Sequence, residues 1–242
     1  MDALELVTLQ AAAWGLRLDD EWLARLEAYA RLLAGYAEAN VIGTRDFGRI
    51  LLDHVLDSLS CYLFRPVADA GRLADVGSGG GLPGIPIKIC VPGMGLTLIE
   101  STGKKARFLR RVVDELPLTG TEVVGGRVED ASRKVEHRGM YDVATARAVA
   151  RLSVLAEYCV PLLKVGGWVV SMKGRLPDEE LSEGERAAEK LGAKVSEHIR
   201  VPHLPEVGEK ERRLVVIQKV RETPGKYPRN VGVPAKKPLG VV

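Results

Sequence analysis

A glycine-rich turn between two apolar segments constrains this chain more than any other feature. Residues 73–76 read as a short buried strand, and the next eight residues include five glycines. Glycine lets the backbone turn sharply and approach a ligand closely, because no Cβ intrudes. The helix predicted from residue 83 points free N–H groups at the same place. The pattern therefore indicates a strand–turn–helix unit that binds a nucleotide-like cofactor.

Composition indicates an ordinary globular protein of 242 residues, 46% hydrophobic and 28% charged, with room for a large α/β domain and an appendage. No apolar run approaches the roughly 18–20 residues that span a bilayer, so no membrane partner is expected. The acidic N-terminus does not resemble a signal peptide. Cys61, Cys90 and Cys159 are far apart and match neither a disulfide framework nor a metal site. We therefore expect a cytoplasmic protein without a bound metal.

Charge is unevenly distributed, although the net charge is only +3. Residues 1–39 carry seven acids against three bases, whereas residues 219–237 carry six bases and one acid. A basic strip at the end of the chain suggests a polyanionic partner. A solvated tail that aids solubility explains the same composition equally well.

The spacing of apolar residues predicts helices up to residue 65 and alternating strands and helices afterwards. One early helix begins near Asp19 or Asp20, and another covers residues 50–63. The predicted strands occupy residues 72–76, 95–100, 121–125, 141–146, 166–172, 193–201 and 212–219. The predicted helices among them occupy residues 83–91, 103–116, 128–136, 150–163 and 178–191.

This alternation predicts an α/β fold with a mostly parallel sheet and right-handed crossovers. Pro205, Gly208 and the charged run 209–211 separate the last two strands, which can form an antiparallel edge hairpin. We predict an N-terminal helical segment (1–65), a core domain (66–220) and a basic tail (221–242). Proline density argues against regular structure in that tail.

The glycine-rich turn alone leaves two cofactor classes open. Gly79–Gly84 matches the dinucleotide fingerprint, but the first glycine after the strand is Gly77, and counted from there the sixth position is Leu82. Glu100, at the end of the second strand, can bind the ribose of a dinucleotide or of S-adenosylmethionine. A carboxylate favoured by a helix N-terminus is the alternative, but the position at the end of a strand favours the ligand role. Residues 161–170 read as a helix end, a Gly-Gly turn and a strand, which resembles the class I methyltransferases that use S-adenosylmethionine.

Several segments together identify a closer resemblance. Residues 75–86, with the sequence DVGSGGGLPGIP, look like the proline-bearing loop of the GidB/RsmG family of 16S ribosomal RNA methyltransferases. The resemblance runs from about residue 40 to residue 239. Agreement extends to residues 54–59, 104–109, 146–150, 172–174 and 227–239. Leu82 stands where the family more often has phenylalanine, and residues 40–44 match the family's pattern only loosely.

The resemblance implies a class I, Rossmann-like fold with seven strands and methylation of guanine N7 in 16S ribosomal RNA. S-adenosyl-L-methionine is the implied cofactor, and the RNA or the small ribosomal subunit is the implied partner. The cofactor-binding residues that it implies are Gly77, Gly79, Leu82, Glu100, Ser101, Thr102, Val128, Glu129 and Arg147. Val128 and Glu129 would meet the adenine edge, and Arg147 would pair with the methionine carboxylate or a phosphate. A surface ion pair is the alternative for Arg147.

Guanine N7 carries a lone pair and no proton, so this transfer needs no general base. We therefore expect Arg147 and Lys173 to contribute to catalysis by positioning. The basic residues expected to contact RNA are Lys173, Arg229, Lys236 and Lys237. Three other functions stay open at this stage: a methyltransferase of small molecules, a nicotinamide oxidoreductase, and an RNA-binding protein without catalysis. Nothing in the sequence demands a dimer, and we expect a monomer.

Overall fold

The computed structural model describes residues 1–208 and 211–241. Glu209 and Lys210, part of the charged run expected between the last two strands, lie outside the described residues. The chain opens with helices α1 (Ala3–Ala13) and α2 (Asp20–Gly35). Asp19 caps α2, because its side chain accepts a hydrogen bond from the Trp22 N–H. Of the two aspartates expected to begin this helix, Asp19 is the cap.

Residues 50–63, which the sequence predicts as one helix, are helical throughout but do not form one regular α-helix. The segment consists of α3 (Phe47–Ile50), a π turn (Leu51–Val55), α4 (Leu56–Leu59) and a 3₁₀ turn (Ser60–Leu63). A further 3₁₀ turn covers Arg65–Val67. Ser58 and Ser60 donate their hydroxyl protons to the carbonyls of His54 and Asp57. Such side-chain bonds compete with the regular backbone ladder, which explains the irregularity.

One seven-stranded sheet lies at the centre of the molecule, in the order β3-β2-β1-β4-β5-β7-β6. Its strands are β1 (Arg72–Val76), β2 (Gly95–Glu100), β3 (Thr121–Gly125), β4 (Tyr141–Arg147), β5 (Leu163–Lys173), β6 (Ala193–Arg200) and β7 (Arg213–Lys219). The first five strands are parallel, whereas β7 runs antiparallel to both β5 and β6. The mostly parallel sheet and its antiparallel edge hairpin are confirmed.

Gly166 and Gly167 lie inside β5, whereas the sequence analysis describes them as a turn at the very start of the predicted strand 166–172. The pairing of β5 with β4 shifts register between Tyr141 and Val143, which marks an irregularity beside these glycines. A Cβ on Gly167 would lie 3.0 Å from the Asp142 carbonyl oxygen. The glycine pair therefore bends a strand that begins three residues earlier than predicted.

The remaining helices are α5 (Gly84–Cys90), α6 (Gly103–Glu115), α7 (Val128–Ala131), α8 (Leu152–Cys159), α9 (Asp178–Leu191) and α10 (Val233–Lys236). A 3₁₀ turn at Val160–Leu162 follows α8, and another covers Pro205–Val207. Helix α7 ends well before the predicted residue 136, because residues 133–136 are all exposed and offer the core no apolar face. Val135, for example, is 81% exposed.

Helices cover both faces of the sheet. The N-terminal helices, α5 and α6 pack on one face with Leu73 of β1, whereas α7, α8 and α9 pack on the other with Ala74. Successive strand residues point to opposite faces, so the buried strands read as continuous apolar runs. The tail joins the second face through buried Tyr227 and Leu239. The division into 1–65, 66–220 and 221–242 stays a prediction.

Candidate active site

The glycine-rich turn leaves β1 at the carboxyl edge of the sheet, where β1 lies between β2 and β4. Connections run to opposite sides from this point, which is where open α/β sheets bind ligands. The N–H groups of Gly77 and Ser78 donate to the Ile99 carbonyl at 2.9 and 3.2 Å. The Ser78 hydroxyl donates to the Asp75 carbonyl at 2.8 Å. The turn is therefore fixed to the ends of β1 and β2.

The glycines of this turn serve two different purposes. Gly77 has φ +69°, and a Cβ on it would lie 2.7 Å from Cγ2 of Val149, beside the open crevice. Gly80 instead faces protein, since its Cβ would lie 2.9 Å from Cδ2 of Leu33. Tyr29 of α2 donates its hydroxyl proton to the Gly80 carbonyl at 2.6 Å. Of these two glycines, only Gly77 therefore lies at the crevice that a ligand can enter, and Gly80 packs against helix α2.

Glu100 fixes the turn to the next crossover. Its Oε2 accepts a hydrogen bond from Gly79 N–H at 2.9 Å, and its Oε1 accepts one from Thr102 N–H at 2.7 Å. The carboxylate is 6% exposed. Because a carboxylate has about four acceptor positions, these two bonds leave capacity for the hydroxyls of a ribose.

A crevice of about 250 Å³ opens beside Gly77, and we call it the cofactor crevice. Four predicted cofactor residues line it: Gly77, Ser101, Val128 and Glu129. Five others lie outside its lining: Gly79, Leu82, Glu100, Thr102 and Arg147. Leu82 is 5% exposed and packs in the core with the N-terminal helices, away from the crevice wall. The cofactor contacts of these residues stay predictions.

Sequence reasoning missed eight of the twelve residues that line the crevice. The further lining residues include Gly126, Arg127, Val149, Ala150, Tyr158 and Ala235. Gly126 and Val149 follow the ends of β3 and β4, so their position after a parallel strand is a signal that could have found them. Tyr158 and Ala235 carry no such signal, because the packing of α8 and of the tail brings them to the site.

The tail forms one wall of the cofactor crevice. Gly232 N–H donates to Oε1 of Glu129 at 2.9 Å, and Glu129 is 1% exposed. The other oxygen, Oε2, accepts no hydrogen bond and lies 3.7 Å from Nε of Arg127. Glu129 therefore binds the tail as well as lining the crevice, a role that its predicted contact with adenine did not include.

Arg229 also holds the tail in place, because it binds Glu157 of α8. Its Nη2 lies 2.6 Å from Oε2 of Glu157, and its Nε and backbone N–H donate to Oε1 at 2.9 and 2.8 Å. Glu157 is fully buried in α8. The pair raises the pKa of Arg229 above its usual value. The structure thus gives Arg229 a structural role, and the RNA contact that the sequence predicted for it stays a prediction.

Lys236 and Lys237 are both exposed and follow Ala235 at the rim of the cofactor crevice. This position suits the RNA contacts predicted for them, which stay predictions.

Arg147 and Lys173 line a second opening of about 370 Å³, which we call the Asp57 cleft. Arg147 reaches Oδ2 of Asp57 at 3.4 Å and Nδ1 of His54 at 3.3 Å, so it faces this cleft and not the cofactor crevice. Lys173 Nζ donates to the Ala150 carbonyl at 2.7 Å and to Oε1 of Glu180 at 2.8 Å. Lys173 thereby positions the chain after β4, and its predicted RNA contact would have to compete with these bonds.

Glu100→Gln is expected to weaken binding of S-adenosylhomocysteine by about tenfold or more, because hydrogen bonds to charged groups contribute about 1.5–3 kcal/mol. The new amide NH₂ would also face the backbone N–H of Gly79 or Thr102. Both groups are hydrogen-bond donors, so one bond of the turn would be lost. Isothermal titration calorimetry checks the affinity. Glu122→Gln, on the exposed side of β3, is the matched control. Equal affinities of the two variants would contradict a ligand role for Glu100.

Asp75 lies beneath the turn and is fully buried. Burial raises its pKa from 3.8 to about 6, although hydrogen bonds from Thr145 and from Gly84 N–H oppose the shift. Because the pKa in the folded state exceeds that in the unfolded state, the protonated carboxyl is favoured by folding. The resulting stabilisation is complete below pH 3.8 and is lost as the pH rises through about 6.

Asp75→Asn is therefore expected to remove a contribution of about 2–3 kcal/mol to the pH dependence of stability. An asparagine can accept from Gly84 N–H and donate to Thr145, so the local bonds survive. Urea unfolding of both proteins between about pH 4.5 and 7.5 measures the effect. As the pH rises, the free energy of unfolding of the variant should increase relative to that of the parent. The same pH dependence in both proteins would refute the raised pKa of Asp75.

Across residues 1–208 and 211–241, the model contains no helix with the length and apolar character needed to cross a bilayer. Within the same residues, His, Cys, Asp and Glu side chains form no group of three or more that could hold a metal ion.

Solved structures with similar folds include a methyltransferase and a pre-rRNA processing protein. The mitomycin 7-O-methyltransferase MmcR superposes with a TM-score of 0.55 at 18% identity, covering 79% of this chain and 60% of that one. The fibrillarin pre-rRNA processing protein of Methanococcus jannaschii superposes with a TM-score of 0.50 at 16% identity, covering 64% and 70%. At these identities the likeness shows the fold alone.

Sequence comparison is far more specific. The family model described as rRNA small subunit methyltransferase G (GidB) matches residues 23–215. A protein of that name from Rubrobacter xylanophilus is 60% identical over 238 residues, covering 98% of this chain and 91% of the relative. Another from Chloroflexus aggregans is 43% identical, covering 94% of each. With its class I methyltransferase fold and its crevice at the carboxyl edge of β1, this chain belongs to the GidB family of ribosomal RNA small subunit methyltransferases.

Proposed function

We propose that this methyltransferase transfers a methyl group from S-adenosyl-L-methionine to N7 of a guanine in small-subunit ribosomal RNA. The observation that carries the proposal is the cofactor crevice at the β1–β4 switch point, in a chain that matches the family over most of its length. Family membership sets aside the nicotinamide and small-molecule alternatives. It also disfavours a purely RNA-binding role.

The crevice fits a nucleoside with an amino-acid arm. Gly77 presents bare backbone, where even a Cβ would meet Val149. Glu100 lies beneath the turn with spare acceptor capacity, and Val128 begins α7 at the far wall. S-adenosylmethionine, when bound, supplies an electrophilic methyl group on a sulfonium sulfur. The side chains of the crevice hold that donor and exclude water from it.

No residue of the chain has to remove a proton from the nucleophile, because N7 of guanine attacks with an existing lone pair. The contribution of the protein is then alignment, and well-oriented pairs gain roughly 7–11 kcal/mol in this way. Lys173 supports such alignment by binding the Ala150 carbonyl, next to the crevice residue Val149. This gives Lys173 a positioning role in catalysis.

Lys236 and Lys237 at the rim are suited to bind RNA phosphates. Neutralising phosphates makes binding fall as salt rises, with a slope of about −0.7 per contact for single strands. We infer that the enzyme acts as a monomer in the cytoplasm, on the RNA or on the assembled subunit.

Tritiated methyl transfer tests the proposal. The enzyme is incubated with small ribosomal subunits and with naked 16S RNA from cells that lack it, and the product is mapped by base-specific cleavage at 7-methylguanine. Label in one guanine of either substrate is the expected result. Background incorporation in both, or label on another base, would contradict it. S-adenosylhomocysteine titration without RNA checks separately that the donor site is intact.

A further inference from the structure

The Asp57 cleft is a separate opening that adjoins the cofactor crevice. Arg147 and Ala148 line the cleft, whereas the next two residues, Val149 and Ala150, line the crevice. Both openings thus lie at the carboxyl edge of the sheet and share a single stretch of chain. A group held in one opening therefore lies next to a group held in the other.

The backbone at Ala148 explains how consecutive residues reach two openings. Ala148 has φ +55°, the only positive φ among the described residues other than glycine. Residues other than glycine rarely adopt this backbone conformation, and such strained residues concentrate at functional sites. The turn at Ala148 directs Arg147 to one opening and Val149 to the other.

The charges in the Asp57 cleft suit a neutral ligand better than a phosphate. Arg147 and Arg212 both pair with Asp57, at 3.4 and 3.0 Å, and Lys173 pairs with Glu180 at 2.8 Å. The three cations of the lining are therefore each engaged by a carboxylate. A phosphate would have to displace these partners, whereas a polar base can use the remaining hydrogen-bonding positions.

Asp57 is the group best placed to recognise such a base. Its side chain is 8% exposed, and two arginines fix its orientation. The bonds from Arg147 and Arg212 use one position on each carboxylate oxygen, which leaves roughly two of four acceptor positions open. Two parallel acceptors match the N1–H and N2–H₂ donors on the Watson–Crick edge of guanine, and a bidentate pair gives geometric specificity.

We propose that the Asp57 cleft receives the target guanine, with Asp57 accepting hydrogen bonds from N1–H and the N2 amino group. This inference rests on the proposed function and adds the residue that selects the base. The Watson–Crick edge and N7 lie on opposite sides of the purine, so a base bound to Asp57 by that edge can direct N7 toward the cofactor crevice, beside the segment that the two openings share. Arg147 lies between them and donates to O6, and Met172 packs on the ring face.

The proposed geometry requires the base to leave its stack, as enzymes that modify bases generally require. It also predicts which analogues fail. Inosine keeps N7, O6 and N1–H but lacks the N2 amino group, so one oxygen of Asp57 would lose its partner. Adenine presents an acceptor at N1 and would fail more completely.

The test places inosine at the guanosine that the methyl-transfer mapping identifies, in RNA joined from two synthetic or transcribed pieces. Wild-type enzyme should show a kcat/KM lower for inosine than for guanosine by roughly tenfold or more. Equal rates would overturn the proposal. Absence of transfer even to guanosine would instead contradict the proposed function, so the two failures are distinguishable.

Asp57→Asn sharpens the assignment to one residue. It should lower kcat/KM for guanosine by roughly a hundredfold and abolish the preference over inosine, while affinity for S-adenosylhomocysteine stays unchanged. Asp69→Asn, which alters an exposed aspartate paired with Arg65, is the matched control and should behave as wild type. If Asp57→Asn still prefers guanosine to inosine as strongly as the wild type does, the proposal is overturned. If Asp57→Asn does not fold, the wild-type comparison of guanosine with inosine still decides.

Discussion

Replacing Arg229 with alanine is expected to lower the free energy of unfolding by about 3–5 kcal/mol, because it leaves a buried charge without its partner. Glu157 is fully buried, and both of its oxygens accept hydrogen bonds from Arg229. The carboxylate cannot reach water when the guanidinium is removed. Urea unfolding followed by circular dichroism measures the loss.

The double variant Glu157→Gln, Arg229→Gln is the control for Arg229. It removes both charges, so we expect it to recover a large part of the lost stability. Arg229→Lys keeps the charge but not the bidentate geometry and should fall between the two. If Arg229 contacted RNA instead of holding the tail, alanine would weaken RNA binding and leave the unfolding curve in place. That result would restore the prediction made from sequence.

Gly77→Ala is expected to weaken S-adenosylhomocysteine binding by about a hundredfold or more. The added Cβ would lie 2.7 Å from Cγ2 of Val149, and φ +69° costs a non-glycine residue about 1–2 kcal/mol. Relief of the contact moves either the turn or the segment after β4, and both carry the crevice wall. Calorimetric titration gives the affinity, and circular dichroism shows that the fold is retained.

Two variants separate the causes of the Gly77 effect. Gly93→Ala adds the same methyl group where no atom lies within 4 Å, so it should bind as the parent does. Adding Val149→Ala to Gly77→Ala removes the steric contact but not the backbone strain, and should recover affinity only in part. Unchanged affinity in Gly77→Ala would show that the donor binds elsewhere.

The sequence predicts the sheet well because the strands have clear ends and the central ones, β1, β2 and β4, are mostly buried. The positions of β1, β2 and β3 agree with their predicted bounds to the residue. The Gly166–Gly167 pair misleads, since a glycine pair is as compatible with a bulge in a strand as with a turn before it. Helix α7 is short because residues 133–136 offer no apolar face to the core. Helix propensity alone does not detect the absence of such a face.

The site was harder to predict than the fold. Residues directly after parallel strands, such as Ser101 and Val128, reach the crevice as expected, because strand ends fix their position. Arg147 is the last residue of β4, and the turn that follows at Ala148 leaves it in the neighbouring cleft. Arg229 looked like one member of a basic strip, and its buried partner is 72 residues away in the chain. Charge composition does not reveal such distant pairing.

Ala235 lines the crevice, and Gly232 binds Glu129 of the same wall, which has a consequence for the order of events during synthesis. Both residues follow every strand of the sheet in the chain, so they are synthesised after the whole sheet. A nascent chain can therefore form its central sheet before one wall of the cofactor crevice is present. The crevice of this methyltransferase is completed later in synthesis than the sheet that carries it.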